Sequence, residues 1–329
     1  MPLNVFVTGA AGFIGSHVAE ALLSRGHRVF GLDNFDPFYG RALKERNLAA
    51  LRGSPGFVFV EADIRDGAAL ARWGQGVRAD VLIHLAAKAG VRPSVADPAG
   101  YADVNVNGTI RVLEWARVRD VRKMLFASSS SVYGGNVKVP FSEHDFVDHP
   151  VSPYAATKKA GELLCHTYCH LYGMNVIALR FFTVYGPRQR PEMAICKFTR
   201  QILEGAEIEV YGDGSSRRDY TYIDDIVAGV LGSLNAPPGY RVYNLGESVT
   251  LSLSELVALL EKACGRPALR RRAPLQPGDV PITYADISLA RAEIGYDPRT
   301  PVDQGVARFV DWYRRQATCV ATRKEGGAP

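Results

Sequence analysis

A strand, a glycine-rich turn and the start of a helix follow one another near the beginning of the chain, and no other stretch restricts the fold as strongly. Residues 5–15 are Val-Phe-Val-Thr-Gly-Ala-Ala-Gly-Phe-Ile-Gly, an apolar run broken by glycines at every third position. Gly9 permits the tight turn, Gly12 lets a ligand approach the backbone, and Gly15 lets the helix pack closely on the strand. This order is typical of a β-α-β unit.

The first half of the chain continues this alternation of apolar strands and helical segments. Continuous apolar strands separated by helices favour a parallel sheet that is covered on both faces. We therefore predict an α/β fold, a Rossmann-type doubly wound parallel sheet with a smaller C-terminal substrate-binding lobe. The predicted strands are Asn4–Thr8, Arg28–Asp33, Phe57–Ala62, Val81–Leu85, Lys123–Ser128 and Val176–Phe182.

The division into domains follows from the same pattern. We expect residues 1–180 to form the Rossmann domain, with 218–235 returning to it, and residues 181–317 to form mainly the second lobe. The last stretch, 318–329, is small, charged and glycine-containing, and is expected to fray.

An acidic residue at the end of the second predicted strand bears on the ligand. Asp33 lies 18 residues after Gly15 in the sequence. A carboxylate there accepts hydrogen bonds from an adenosine ribose diol and repels a 2′-phosphate. The pattern therefore predicts NAD as the cofactor rather than NADP.

A tyrosine and a lysine one helical turn apart form a candidate catalytic pair. Ser152 is a good N-cap and Pro153 suits the first helical position, so Tyr154 and Lys158 should share a helix face. A phenol has a pKa of ~10, but a nearby ammonium and the positive helix start both favour the phenolate, which can accept a proton from an alcohol. The spacing also occurs by chance in many helices. The hydroxyl cluster 128–131, after a predicted strand, can hold a substrate oxygen nearby.

Together, the glycine turn, the serine cluster and the Tyr154/Lys158 pair resemble the extended short-chain dehydrogenase/reductase family, from Val5 to about Tyr313. Four further segments resemble its UDP-glucuronate 4-epimerase branch: Asp33–Phe35, Arg180–Pro187, Arg190–Ala194 and Gln276–Val280. The resemblance implies an isomerase that interconverts UDP-glucuronate and UDP-galacturonate. The sugar would pass through a 4-keto intermediate while hydride moves to and from bound NAD.

The resemblance also implies roles for individual residues. Tyr154 would take the proton from the 4-hydroxyl, Lys158 would support the phenolate and the nicotinamide ribose, and Ser129 would hold the oxygen. The expected cofactor-binding residues are Gly9, Gly12, Phe13, Ile14, Gly15, Asp33, Asn34, Asp63, Ile64, Leu85, Ala86, Ala87, Lys88, Ser128, Tyr154 and Lys158. The expected substrate-binding residues are Ser129, Ser130, Thr183, Arg190, Arg218 and Asp279. For Ala86 and Ala87, close packing alone is an equal explanation.

The identity of the sugar depends on a few positions. Arg190 can make paired hydrogen bonds to a sugar carboxylate, although a surface role is the alternative. Thr183 stands where galactose-type epimerases usually carry Asn. Where this chain has Ser130 and Ser131, related dehydratases have an Asp-Glu pair, and related decarboxylases have a Glu at the second position. The absence of these acids favours simple return of the hydride to the sugar.

Other arginines and one glutamine are less informative. Galactose epimerases often have Arg where Gln276 stands, so the assignment of phosphate contacts stays open. Arg188 and Arg217 are expected at the surface, and the run 270–272 of three arginines is expected on a solvated loop.

Three alternatives to this function are open. The chain can be a 4-epimerase of UDP-glucose or UDP-N-acetylglucosamine, a UDP-glucuronate decarboxylase, or a non-catalytic NAD-sensing protein. The intact set of Ser129, Tyr154 and Lys158 disfavours the last of these.

Composition limits the remaining classes. The chain has 47% hydrophobic residues, no apolar run of membrane-spanning length and no expected signal peptide, so we expect a cytoplasmic protein. Its five cysteines lack metal-finger spacing, and we expect no metal site. A net charge of +5 suits an anionic substrate but does not indicate nucleic-acid binding. By resemblance, helices at 101–118 and 154–172 imply a homodimer.

Overall fold

The computed structural model describes residues 1–274 and 278–325, with the side chains of the last helix described through residue 316. The strands are β1 Asn4–Thr8, β2 Arg28–Asp33, β3 Phe57–Glu61, β4 Val81–His84, β5 Lys123–Ser129, β6 Asn175–Phe181, β7 Thr183–Tyr185, β8 Glu207–Tyr211, β9 Arg217–Tyr222, β10 Tyr240–Leu245, β11 Thr250–Ser252 and β12 Leu269–Ala273. The helices are α1 Phe13–Ser24, α2 Arg41–Arg52, α3 Gly67–Arg72, α4 Val91–Ala96, α5 Pro98–Ala102, α6 Gly108–Val118, α7 Pro153–Tyr172, α8 Ala194–Glu204, α9 Ile223–Gly232, α10 Leu253–Cys264, α11 Ser288–Ile294 and α12 Val302–Glu325.

The central sheet confirms the predicted α/β class. Within the described residues it has seven parallel strands in the order β10-β6-β5-β4-β1-β2-β3. Both faces of β1 are buried: Val5 and Val7 belong to one core layer, whereas Phe6 belongs to the other. Phe6 stacks on Phe30 at 4.6 Å between ring centroids. Burial on both faces explains why the strands are continuously apolar.

Strand β10 differs from the division into lobes made from the sequence. Residues 240–245 lie beside β6 in the central sheet, whereas this part of the chain was expected mainly in the second lobe. The chain returns because α9 packs against α1, after which a short turn through Gly239 leads into β10. β9, by contrast, pairs with β7 and β11 in a small separate sheet. The overall two-domain division stays a prediction.

The run of arginines at 270–272 lies in a strand and not in the expected loop. These residues form most of β12, which pairs with β8 in a two-stranded sheet. Arg271 donates to Glu209 at 2.7 Å across the pair, and Arg270 donates to Glu261 at 2.8 Å. The strand tolerates three adjacent cations because acidic neighbours offset their repulsion.

Helix α7 begins where the sequence predicts, whereas the helix predicted at 101–118 begins a few residues earlier. Ser152 accepts a hydrogen bond from the Ala155 amide at 3.2 Å, and Pro153 is the first residue of α7. The predicted helix at 101–118 starts earlier, with α5, and contains a π-helical turn at Asp103–Asn107 before α6.

The C-terminal stretch is helical over most of its described length. The helical backbone of α12 continues to Glu325, inside the stretch expected to fray, and residues 326–329 lie outside the description, as does Gln276. Over the same part of the chain, no helix has both the length and the apolar character to cross a membrane. Nor does that part contain a group of three or more metal-ligating side chains.

Candidate active site

The glycine turn lies at the carboxyl edge of the sheet and lines a cavity that is larger than the one beyond the serine cluster. Gly9 has φ +72°, and a Cβ there would lie 2.8 Å from the Ala86 nitrogen, so only glycine fits. A Cβ on Gly15 would overlap the carbonyl oxygen of Gly9. The lining of this cavity includes Gly9, Gly12, Phe13, Ile14 and Gly15. The backbone at the N-terminus of α1 is therefore open to a ligand, as expected for a pyrophosphate site.

Asp33 is buried at the end of β2 and is held in one orientation. Its carboxylate accepts hydrogen bonds from the amides of Ala11 at 3.2 Å and Phe35 at 2.9 Å. Lys44 on α2 approaches the same carboxylate at 3.3 Å. Sequence reasoning missed Lys44, although a signal was present. Lys44 and Asn47 fall on the stripe of α2 that buries Leu48 and Leu51, where polar side chains are unusual.

The segment between β2 and α2 contributes a second group that sequence reasoning missed. The Tyr39 hydroxyl is buried, lines the cavity and has no hydrogen-bond partner among the described residues. Burial and the nearby Asp33 charge raise the pKa of this phenol, so it stays a neutral donor. A buried donor without a partner fits a polar ligand in the cavity.

The expected adenine contacts divide into one residue that lines the cavity and one that does not. Ile64 lines it, as does Asn34. Asp63 is absent from the lining because its carboxylate binds Arg65 at 2.8 Å and accepts a hydrogen bond from Asn34 at 2.8 Å. These contacts, with the Arg65 bond the strongest, lower the pKa of Asp63 to about 2. Asp63 therefore orients Asn34.

The stretch 85–88 after β4 lines the cavity as expected. The amides of Leu85 and Ala86 both donate to the Thr8 hydroxyl at 3.2 Å, which fixes the turn against β1. Asn105, in the π-helical turn, binds both the amide and the carbonyl of Lys88, at 2.8 and 2.9 Å. It also donates to Thr157 on α7 at 3.0 Å. The small residues thus serve close packing and also border the cavity.

Tyr154, Lys158 and Ser129 come together at the inner end of this cavity. Lys158 is buried, donates to the Ala127 carbonyl at 2.7 Å, and lies 6.0 Å from the centroid of the Tyr154 ring. Burial lowers its pKa to about 8, which still leaves it mostly charged at neutral pH.

The pKa of Tyr154 corrects one expectation from the sequence. Burial raises the pKa of the phenol and outweighs a hydrogen bond with Ser129 and the positive charge of Arg190, which both lower it, so the net shift is upward and not toward the phenolate expected from the sequence. The main opposing cation at the phenol is thus Arg190 and not Lys158. No local pattern indicates this contact, because Arg190 lies 36 positions from Tyr154 in the chain.

Ser128 lines the cavity as expected, but its hydroxyl is bound to a side chain of the protein. It donates to Glu162 at 2.6 Å, and the same carboxylate accepts two bonds from Arg180, at 2.8 and 2.9 Å. Arg180 also donates to the Tyr133 hydroxyl at 3.0 Å. This buried network fixes the end of β5 against α7 and β6, and so fixes the backbone that carries Ser129.

A second, smaller cavity lies on the other side of the serine cluster. Its lining includes Ser130, Thr183, Arg218 and Asp279, which are the expected substrate contacts apart from Ser129 and Arg190. Arg218 is largely buried, and this burial lowers its pKa. Asp279 accepts a hydrogen bond from Arg92 at 2.9 Å, a contact that the sequence did not reveal.

Arg190 and Arg188 lie on the loop that follows β7. Arg190 lines the larger cavity, and its guanidinium stacks 5.5 Å from the centroid of the Phe38 ring. Arg188, expected at the surface, is instead part-buried. It donates to Ser16 at 3.1 Å and to Glu20 at 2.6 Å, both on α1. Arg217 is also part-buried, and it donates to the Thr250 hydroxyl at 2.9 Å.

A tyrosine and a lysine on one helix face, directed at the dinucleotide-type cavity of a Rossmann sheet, define a short-chain dehydrogenase/reductase. The family model described as the NAD dependent epimerase/dehydratase family matches residues 5–246. The chain belongs to this family.

Individual relatives agree with the family match. The probable UDP-glucuronate 4-epimerase of Rhizobium meliloti is 44% identical, over 94% of this chain and 97% of its own. The UDP-glucuronic acid 4-epimerase of Bacillus cereus, in complex with UDP-glucuronic acid and NAD, superposes with a TM-score of 0.90 at 36% identity, over 95% of this chain and 100% of its own. The UDP-glucose 4-epimerase of Thermotoga maritima, with UDP-glucose, gives a TM-score of 0.89 at 32% identity, over 96% and 100%.

Proposed function

We propose that this chain is an NAD-dependent UDP-glucuronate 4-epimerase, an isomerase that interconverts UDP-glucuronate and UDP-galacturonate. One observation carries the proposal. Tyr154, Ser129 and Arg190 line the same cavity, and the charge of Arg190 acts on the Tyr154 phenol. A proton acceptor for a sugar hydroxyl and a cation suited to a carboxylate are therefore within reach of one bound sugar. Named UDP-glucuronate 4-epimerases among the relatives support the same substrate.

The residues of the larger cavity fit NAD. The glycine turn leaves backbone open for a pyrophosphate, and Asp33 presents a fixed carboxylate for a ribose diol. The buried hydroxyl of Tyr39 offers a further donor. Lys44, at 3.3 Å, helps to hold the Asp33 carboxylate in place. NAD held there would supply the redox chemistry, as hydride acceptor for C4 of the sugar and hydride donor to the 4-keto form.

The protein's own residues handle the proton and the geometry. Tyr154 accepts the proton of the 4-hydroxyl, and Ser129 holds the same oxygen by hydrogen bonding. Lys158, fixed by the Ala127 carbonyl, keeps a positive charge under the tyrosine ring. When the resulting 4-keto sugar has turned over in the cavity, Tyr154 gives the proton back, and the configuration at C4 is inverted.

A glucuronate substrate requires a further safeguard, because its 4-keto form is a β-keto acid that can lose carbon dioxide. Arg190 binds the carboxylate, keeps it ionised and holds it away from the geometry that releases carbon dioxide. Of the described residues that line the second cavity, Asp279 is the sole carboxylic acid, and it is bound to Arg92. The acid and base that a dehydratase or decarboxylase would need beside Ser129 are replaced by Ser130 and Ser131.

The proposal also covers the cellular location and the oligomeric state of the protein. We assign the protein to the cytoplasm, since the cysteines at 165, 169, 196 and 264 are free thiols. We also assign it a homodimer built from α6 and α7 of two copies. Val118, Leu163 and Leu171 on these helices are more than half exposed, and a paired helix face would cover them.

The test is to incubate the purified chain with UDP-glucuronate and catalytic NAD, and to follow the sugar by NMR. We expect UDP-galacturonate without pentose, and no inversion of UDP-glucose or UDP-N-acetylglucosamine. Tyr154→Phe should lower the rate by about 10²–10⁴-fold. Tyr172→Phe, on the exposed end of the same helix, is the matched control and should keep the wild-type rate. Pentose as the main product, inversion of only neutral sugars, or full activity of Tyr154→Phe would overturn the proposal.

A further inference from the structure

The 186–193 loop, between β7 and α8, is anchored to helix α1 by the side chain of Arg188. Arg188 donates to the Ser16 hydroxyl at 3.1 Å and to the Glu20 carboxylate at 2.6 Å. The Arg188 and Glu20 side chains are 23% and 31% exposed, so the ion pair is partly shielded from solvent. A short, charge-assisted bond of this kind is strong and directional.

The backbone of this loop would not hold this shape alone. Gly186 has φ +141°, and Arg188 has φ +68°, a conformation that residues other than glycine rarely adopt. Gln189 adds two bonds within the loop: its amide donates to Gly186, and its side chain donates to the Val184 carbonyl at 3.1 Å. The anchor of Arg188 therefore selects an otherwise unfavourable conformation.

Arg190, two residues further on, is held much more weakly. Its contacts are 3.5 Å to the Ala89 carbonyl, 3.6 Å to the Met193 sulfur and 3.3 Å to Glu192, together with the Phe38 ring. The contact with Ala89 is at the outer limit of hydrogen bonding, and the pair with Glu192 is longer than the 2.6 Å bond between Arg188 and Glu20. The direction of Arg190 into the cavity thus depends on where the loop places its backbone.

The anchor reaches the same helix that forms the dinucleotide site. Ser16 lies in the first turn of α1, where its amide donates to the Gly12 carbonyl at 3.1 Å. The Arg188 charge also contributes to the low pKa of His17 on that helix, after desolvation. The loop that carries Arg190 is in this way fixed relative to the glycine turn.

We propose that Arg188 is a positioning residue for substrate specificity: its bonds to Glu20 and Ser16 hold the 186–193 loop so that Arg190 faces the carboxylate of the sugar. The proposal rests on the proposed function for the identity of the sugar. It adds that recognition of the acidic sugar requires an ion pair that never touches the sugar.

The experiment compares Arg188→Gln and Glu20→Gln with wild type, all loaded with NAD. Calorimetry measures the affinity for UDP-glucuronate and for UDP, which lacks the sugar carboxylate. Both variants should bind UDP-glucuronate about tenfold more weakly and bind UDP within twofold of wild type. The double variant should be no worse than Arg188→Gln alone, because the bond that Glu20→Gln removes is already lost in Arg188→Gln. Arg270→Gln, which breaks the ion pair with Glu261 in the second lobe, is the matched control.

Hydrogen exchange of residues 186–193 gives a readout independent of the sugar. Exchange there should quicken about tenfold in Arg188→Gln and Glu20→Gln and stay unchanged in Arg270→Gln. The charge-reversed pair Arg188→Glu with Glu20→Arg should recover at least part of the protection. Unchanged exchange, or equal loss of affinity for UDP and UDP-glucuronate, overturns the inference. Wild type that binds UDP and UDP-glucuronate equally would instead refute the proposed function, and exchange would still decide whether Arg188 holds the loop.

Discussion

The glycine turn (residues 9–15) and the 186–193 loop border the same cavity, but different kinds of contact hold them in place. In the turn, backbone meets backbone: the Gly9 amide donates to the Leu32 carbonyl at 2.7 Å, and the Gly12 amide donates to Gly9 at 3.0 Å. In the loop, the main tie to the other lobe is the side chain of Arg188. A backbone-built turn tolerates no added atom, whereas a loop held by side chains can be adjusted by single substitutions.

The largest effect should follow from adding one methyl group to the turn. Gly15→Ala places a Cβ on the Gly9 carbonyl, which the surrounding strand and helix cannot move to accommodate. We expect the free energy of unfolding to fall by about 3 kcal/mol and NAD binding to be lost. Urea unfolding and NAD titration measure the two effects.

Gly67→Ala is the matched control for this comparison. Gly67 is the first residue of α3, and a Cβ there meets no atom within 4 Å. The substitution should leave the free energy of unfolding unchanged or raise it by up to about 1 kcal/mol. If Gly15→Ala behaved like Gly67→Ala, the turn would not be fixed by close packing.

Truncation of Arg190 in the loop should lower the activity of the enzyme and leave its free energy of unfolding unchanged. Arg190→Ala removes the charged partner of the sugar carboxylate, which we expect to cost about 2–3 kcal/mol of transition-state binding, or roughly a thirtyfold to hundredfold loss of kcat/KM on UDP-glucuronate. Release of pentose should rise. Arg190→Lys should recover only part, because an ammonium lacks the paired geometry. NMR of the product mixture gives both quantities.

Two results for Arg190→Ala would contradict the contrast between a rigid glycine turn and an adjustable loop. A wild-type rate in Arg190→Ala, with no pentose, would remove the arginine from the site. A fall in unfolding free energy as large as that of Gly15→Ala would show that the loop, too, is part of the rigid frame. Arg299→Ala, on an exposed second-lobe arginine, controls for loss of a positive charge alone.

The sequence predicted the turn far better than the loop, for a physical reason. Glycine spacing, N-cap residues and apolar strands act within a few positions, so Gly9, Asp33, Ser152 and Tyr154 could be found from local patterns. The bonds of Arg188 to Ser16 and Glu20 join residues about 170 positions apart, and no local pattern encodes them. The position of β10 in the central sheet was missed for the same reason.

Lys44 is intermediate between the features that local patterns predict and the contacts that they do not. Its place on the buried stripe of α2 was visible in the sequence, but its partner Asp33 was assigned only to the ribose. Polar residues on an otherwise apolar helix face therefore indicate a site even when their partner is unknown.

The smallest expected effect concerns pH and the strands beneath the glycine turn. His84 is buried at the end of β4, between the hydroxyls of Thr8 at 2.7 Å and Thr109 at 3.1 Å. Burial, and then the charge of Lys158, lowers the pKa of His84 to about 3 from 6.5. Below pH 6.5 the unfolded chain therefore binds a proton at His84 that the folded chain does not bind. The free energy of unfolding consequently falls as the pH drops toward 3.

Between pH 7 and pH 5 this proton should reduce the free energy of unfolding by about 2 kcal/mol. His17, whose pKa burial lowers to about 4, should add a similar amount. The check is urea unfolding of wild type and His84→Gln at both pH values: the pH dependence of the variant, whatever its stability at pH 7, should lack the contribution of about 2 kcal/mol that His84 makes in wild type. His144→Gln, at an exposed position, should keep all of it. An unchanged slope in His84→Gln would mean that His84 takes up a proton in the folded state, and that the strands under the turn are less closed than their contacts indicate.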